Sequence, residues 1–340
     1  MRSRLMSFTI QRGTNISHWL SQSKRRGAER RAWFTQPDVK RLADLGLDHL
    51  RIPIDEEQMW DEAGNPEPEA FDLLQAALDW CADVGLRAIV DLHILRSHYF
   101  LDTSPKLYTD PAEAERFAAL WQSLSEQLHE RPVDWVAYEL LNEAVAPDPA
   151  DWNRVAMMGY RAIREQEPER VIVLGSNKFC MPETFDQLEV PDDKHLLLTF
   201  HFYFPLLVTH YTAGWMPSGA YVGPIHYPGP AILPEDMAVV EEPLASHLRE
   251  LNIPYDRERM RAELRKPLAV REQTGHPLYC GEFGCYHHTP QPLRVAWFRD
   301  FIEVLREYQI AWATWDYKGN FGLYTANGPD QEVIDILLQE

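Results

Sequence analysis

The sequence predicts a closed (β/α)8 TIM barrel, one domain spanning residues 1–340. Three observations predict it. Short apolar runs alternate with stretches of helical period along nearly the whole chain, eight such units fit within 340 residues, and no glycine-rich phosphate turn follows the first strand. The alternative is an open doubly wound sheet. That fold wants GxGxxG after its first strand, and Gly13-Thr14-Asn15-Ile16 does not supply it.

The elements follow in order. A first strand is expected over Phe8–Ile16, then a helix over Pro37–Leu45 closed by Gly46. His49–Ile54 is the second strand, with Arg51 in its middle and Pro53 expected to end regular pairing. Phe71, Leu74, Ala77, Leu78 and Cys81 form a helical stripe over Phe71–Val84, closed by Gly85. Leu86–Leu92 delivers Asp91 and His93 to a strand end. Ala112–Leu128 is helical, Val133–Leu141 a buried strand, and Asp151–Glu165 helical again. Strands at Arg170–Leu174 and His195–Phe200 flank a short helix at Pro182–Leu188. Residues 202–256 break the rhythm as an aromatic-rich, proline-rich insertion. A helix over Arg257–Gln273, a strand over Pro277–Gly281, a helix over Pro292–Glu307, a strand over Ile310–Trp315 and a helix over Glu332–Leu338 complete the chain.

Composition narrows the partners. The formal charge is −19, which disfavours nucleic acid and anionic membranes, both polyanions, and suits a neutral substrate. No apolar run reaches the length of roughly 18 residues needed to span a bilayer. The first ten residues lack the apolar centre of a signal peptide, so a cytoplasmic location is expected as the sequence stands, or secretion if a leader has been removed. Cys81, Cys180, Cys280 and Cys285 are scattered and fit no common zinc spacing even with His287 and His288 nearby, so buried free thiols are expected.

Polar residues collect at the ends of the expected strands: Arg51, His93, Asn142, Glu143, His201, Tyr203, Glu282 and Trp315. In a barrel that end is where active sites lie. A single arginine or histidine there is usually a structural partner. Two glutamates surrounded by a cation, donors and an aromatic ring point instead to glycoside hydrolysis, which needs one protonated and one ionised carboxyl. Glu139 lies four residues before Glu143, roughly 13 Å along a regular strand, and is expected to be a structural acid, as is Asp91. No HExxH motif supports a metal-dependent hydrolase, and no cofactor is expected.

The segments Leu50-Arg51-Ile52-Pro53, Asp91-Leu92-His93, Leu141-Asn142-Glu143, His201-Phe202-Tyr203, Gly281-Glu282-Phe283-Gly284 and Trp312-Ala313-Thr314-Trp315 resemble glycoside hydrolase family 5, from about Gly13 to Tyr324. The family's Asn-Glu is commonly followed by proline, where this chain has Ala144. The resemblance implies a retaining enzyme with Glu143 as acid/base and Glu282 as nucleophile. It implies that Arg51 and Tyr203 contact Glu282, that His93, Asn142 and His201 surround the sugar, and that Trp315 lies beneath it. It also implies carboxyls about 5–5.5 Å apart. The expected activity is endo-β-1,4-glucanase action on soluble β-glucans or cello-oligosaccharides. A β-glucosidase, β-1,3-glucanase or β-mannanase of the same family is the alternative, and a non-catalytic carbohydrate-binding barrel is an alternative of another class. Loops 17–34, 94–110, 144–150 and 202–256 would shape the cleft, with Trp19, Trp33, Tyr99, Tyr108, Trp152 and Trp215 as candidate sugar platforms.

Overall fold

Eight parallel strands close into a barrel in chain order in the computed structural model, which describes residues 8–339. They are β1 (Arg12–Asn15), β2 (His49–Asp55), β3 (Arg87–Ile94), β4 (Val136–Glu139), β5 (Ile172–Gly175), β6 (Leu196–Phe202), β7 (Leu278–Phe283) and β8 (Ala311–Thr314), with β8 pairing back onto β1. Residues 1–7, where the leader question lies, fall outside the described part. No described helix is long and apolar enough to cross a membrane.

Local chemistry sets where the outer helices begin and end. Asp110 and Asp148 each precede a proline at the first helical position and accept the Ala112 and Ala150 amides at 3.0 and 2.8 Å, so helices Pro111–Leu128 and Pro149–Gln166 start there. Gly46 and Gly85 close their helices in the left-handed region, at φ 93° and 80°. Helix Gln291–Glu307 buries Trp297, Phe298, Phe301, Ile302, Val304 and Leu305. Each contributes about 1.5–3 kcal/mol of apolar transfer, which is what clamps such a helix to the barrel wall.

Inside the barrel the side chains are layered. Ile89, Ala137, Val173, Leu197, Tyr279 and Ala313 form a small apolar plug with Phe8. Two residues further along their strands stand Asp91, Glu139 and Thr199, so a polar, charged layer sits directly on the plug. The period-2 alternation of strands produces this stacking.

Four expectations need correction. Pro53 does not end pairing, since it stands in register with Asp91 and Ile54 with Leu92. The Arg51 carbonyl accepts the Ile16 amide, so Pro53, two residues on, turns its missing N–H toward the side where β1 has already ended. The helix expected over Arg257–Gln273 is two, Arg257–Glu263 and Arg265–Thr274. Pro267 cannot bond the carbonyl four residues back and breaks the run. The fourth strand is only Val136–Glu139, and the chain leaves regular pairing before Asn142. Residues 202–256, expected as a loop insertion, hold short helices at Leu206–Thr209, Pro234–Met237 and Leu244–Leu251. A two-stranded hairpin, Tyr324–Thr325 with Gly328–Pro329, was not anticipated.

Candidate active site

Arg51 projects from β2 into the polar layer and is fully buried. Its guanidinium has five N–H donors, and all five are used. Nε and Nη2 grip both oxygens of Glu139 at 2.8 and 2.9 Å. Nη1 reaches Asn15 Oδ1 and Glu282 Oε1, both at 2.7 Å, and Nη2 also reaches Asn142 Oδ1 at 2.9 Å. Asp91 Oδ2 lies 3.1 Å from Nη2 and accepts from His93 Nδ1 at 2.6 Å. One rigid fork thus fixes residues from four strands and from the segment that follows β4. Glu139 is therefore a neighbour of the site rather than a residue far below it. The extended rise assumed for the strand stops at Glu139.

Glu282 reaches the site through a bulge. On β7, Tyr279 faces the barrel interior and Cys280 the helices, so alternation alone would aim Glu282 outward. The pairing with β6 slips there: Phe200 matches Cys280 but His201 matches Glu282, which leaves Gly281 as the extra residue. The bulge re-aims the carboxylate at the rim. Tyr203 then donates to Glu282 Oε2 at 2.9 Å, opposite Arg51 on Oε1.

Glu143 follows β4 with φ 44°, a left-handed turn that brings its side chain over the barrel mouth. His201 Nδ1 lies 2.9 Å from Glu143 Oε1 and 3.7 Å from Glu282 Oε2. An oxygen of each glutamate and this nitrogen all lie within 4.8 Å of one another. Both acids can therefore reach one glycosidic bond, as a two-carboxyl hydrolysis requires. Burial raises the pKa of both acids. Glu143 is driven well above the carboxylate range, because burial is joined by the charge of Glu282. Glu282 rises less, pulled back by Arg51, His93 and the Tyr203 hydroxyl. The two environments thus differ in the direction that favours a proton on Glu143 over one on Glu282. Burial holds His201 neutral.

The same trio is the one group among the described residues with three metal-ligating atoms in mutual reach. Both Glu282 oxygens already accept hydrogen bonds, and the Arg51 cation sits 2.7 Å from one of them. A metal ion would have to displace that cation, so the donor set fits an acid pair better than a cation site.

A cleft of about 860 Å³ opens above these groups. All of the expected site residues except Arg51 line it: His93, Asn142, Glu143, His201, Tyr203, Glu282 and Trp315. Trp315 is only 8% exposed and lies parallel to the His93 ring at 5.4 Å, so it offers a narrow surface. Most loop aromatics proposed as platforms are elsewhere. Trp19 and Trp152 are core residues whose indole N–H groups bond the Arg30 and Gly175 carbonyls, each at 2.9 Å, and Tyr108 is buried too. Trp33 lies under the Arg25 guanidinium, 3.8 Å from the ring centre. Only Tyr99 and Trp215 line the cleft with exposed rings.

Sequence reasoning missed Asn15 and Gln22. Asn15 was detectable, as the last β1 residue in register with Arg51. Gln22 lies in an irregular loop at φ 49° and places its amide 3.0 Å from His93 Nε2, with no sequence signal to mark it. All four cysteines are buried and unpaired, as expected.

The family described as Cellulase (glycosyl hydrolase family 5) matches residues 11–321. The chain is similar to Endoglucanase C of Acetivibrio thermocellus, 32% identical over 335 residues covering 96% of this chain and 97% of that one. It is also similar to Cellodextrinase A of Ruminococcus flavefaciens, 27% identical over 312 residues, 90% of this chain and 85% of that one. Among solved structures, Thermotoga maritima Cel5A in complex with mannotriose shares the fold, with a TM-score of 0.78 over 96% of this chain and 97% of that one at 21% identity.

Proposed function

The chain belongs to glycosyl hydrolase family 5 and is a glycoside hydrolase, and from that premise we propose that it is a retaining endo-β-1,4-glucanase acting on soluble β-glucans and cello-oligosaccharides. The observation that carries the mechanism is the acid pair: Glu143, favoured for the proton over Glu282, with oxygens of the two within 4.8 Å at the floor of an open cleft. In the first step a Glu282 oxygen attacks the anomeric carbon while Glu143 gives its proton to the departing glycosidic oxygen. The glycosyl ester forms and the alcohol leaves. In the second step Glu143, now ionised, takes a proton from water, whose oxygen displaces Glu282 and restores the starting state. Arg51 and Tyr203 hold both Glu282 oxygens, so little reorganisation is needed as charge leaves that carboxylate. Asn142 has its carbonyl engaged by Arg51, which leaves its amide N–H groups for a sugar hydroxyl.

The substrate assignment is supported by the relatives' names and by a cleft with exposed rings at Tyr99 and Trp215, room for more than one sugar. Glu282→Ala is expected to abolish turnover, with azide restoring it and giving the inverted glycosyl azide. Glu143→Ala should still form the intermediate from aryl cellobiosides with good leaving groups. A retained azide product from the Glu282 variant would reverse the two roles. Parallel digests of cellohexaose, laminarihexaose and mannohexaose test the linkage. Internal cleavage of cellohexaose is expected, and release of single terminal glucose units would instead indicate an exo enzyme.

A further inference from the structure

His201 is buried, neutral and only half satisfied. Its Nδ1 faces Glu143 Oε1 at 2.9 Å, but its Nε2 has no partner. Two residues back on the same inward face of β6, the Thr199 hydroxyl is also buried without a partner. Between them lies the bulge residue Gly281. A Cβ built there would sit 2.7 Å from Thr199 Oγ1 and 3.2 Å from His201 Nε2. A Cβ on Gly175 would meet the Thr199 methyl at 3.1 Å, so the methyl faces β5 and the hydroxyl faces β7. Both orphaned polar atoms thus lie against the bare Cα of Gly281, where any side chain would collide with them. Buried polar groups are rarely left so, and a site with hydrogen-bonding groups on both sides suits an ordered water.

We propose that one buried water beside Gly281 links the Thr199 hydroxyl to His201 Nε2, and that Thr199 is thereby a positioning residue for proton delivery by Glu143. This rests on the acid role of Glu143 proposed above. A neutral imidazole carries one proton and accepts at its other nitrogen. The water donates to Nε2, so the proton stays on Nδ1. Nδ1–H then occupies Glu143 Oε1, and the acid's own proton resides on Oε2, free to reach the glycosidic oxygen. With the tautomer reversed, Glu143 would donate its proton to Nδ1 instead of to substrate. The charged and titratable groups around this unit are Arg51 and Asp91 with His93, Glu143, Cys180, Tyr203, Cys280 and Glu282. Among these, the ionised Glu282 favours a donor on the Nδ1 side.

Thr199→Val keeps the shape and removes the hydroxyl, and Thr199→Ser keeps the hydroxyl. In 15N-histidine-labelled protein, with His201 resonances identified by their loss in His201→Asn, Nδ1 is expected to be protonated and Nε2 bare in the parent and in Thr199→Ser. Thr199→Val should move part of the proton to Nε2. On aryl cellobiosides, Thr199→Val should lose on the order of tenfold in kcat/KM for poor leaving groups and little for good ones. Its alkaline limb should shift to higher pH, because ionised Glu143 loses a donor. The tautomer measurement needs no turnover, so it stands apart from the Glu143 variants that test the acid role. A protonated Nε2 in the parent would overturn the proposal. So would an equal loss for all leaving groups that Thr199→Ser fails to restore.

Discussion

Arg51 carries one positive charge and faces three carboxylates, Asp91, Glu139 and Glu282, all within 3.1 Å. Burial raises Asp91 and Glu139 to about 7 each, with Arg51 pulling both back. As pH falls through that value, protonation of this pair relieves the excess negative charge under the site. Asp55 shows the same physics outside this group. It sits at the rim end of β2, raised to about 7 chiefly by burial, with Oδ2 accepting the Gln22 amide at 2.6 Å and Oδ1 unpartnered. A folded value above the ordinary 3.8 means that the native state binds more protons between those two values. The contribution of Asp55 to stability therefore falls as pH rises from about 4 to about 7 and is level beyond. Asp55→Asn keeps an acceptor for Gln22 and removes the titration. The variant is expected to gain on the parent across that window by up to about 4 kcal/mol, discounted for relaxation. Urea midpoints at pH 4, 5.5 and 7 measure it, and parallel curves for the two proteins would remove Asp55 from the account.

At the scale of elements, the shortest strands need the most help. β4 has four residues, and its entry is tied down by Arg170, which is fully buried. Arg170 donates to the carbonyls of Arg131, Pro132 and Val136 at 2.6, 3.1 and 2.8 Å, pairs with Glu167 at 2.6 Å, and lies 4.9 Å over the Tyr138 ring. All of this is at the face of the barrel away from the cleft, where side chains serve stability. Arg170→Met should cost about 3–5 kcal/mol, since Glu167 is left buried without its cation. The folded fraction should keep the parental kcat at 25 °C. Thermal melts beside assays on the same preparation separate the two, and an unchanged melting temperature would contradict the role. The elements also mark where sequence was and was not sufficient. Eight alternating units and the rim residues of β3, β6 and β7 were legible because period and polarity change sharply at those strand ends. The bulge at Gly281 was not, because one added residue leaves the apolar pattern intact while reversing which face Glu282 occupies. Trp19 and Trp152 were mistaken for platforms because an indole that bonds a backbone carbonyl beneath a loop has the same sequence signature as one facing a cleft.

For the whole molecule, the decisive quantity is charge. The chain carries −19 overall, and acidic side chains of that total line the cleft floor. Such a field is indifferent to a neutral glucan and repels an anionic one. Neutral and carboxymethylated substrates of the same β-1,4 backbone should therefore diverge with ionic strength. At about 10 mM salt the screening length is roughly 30 Å, so much of the molecule's charge acts on an approaching polyanion, whereas at 0.1 M it is about 10 Å and only nearby groups do. On carboxymethylcellulose, kcat/KM is expected to rise several-fold between these concentrations, while on an uncharged mixed-linkage β-glucan it should stay level. The contrast isolates long-range repulsion, because salt effects on folding or on the Glu143–Glu282 pair would move both substrates together. Reducing-end assays at matched pH read the two slopes. Equal slopes would mean that the charge lies too far from the cleft to steer substrate.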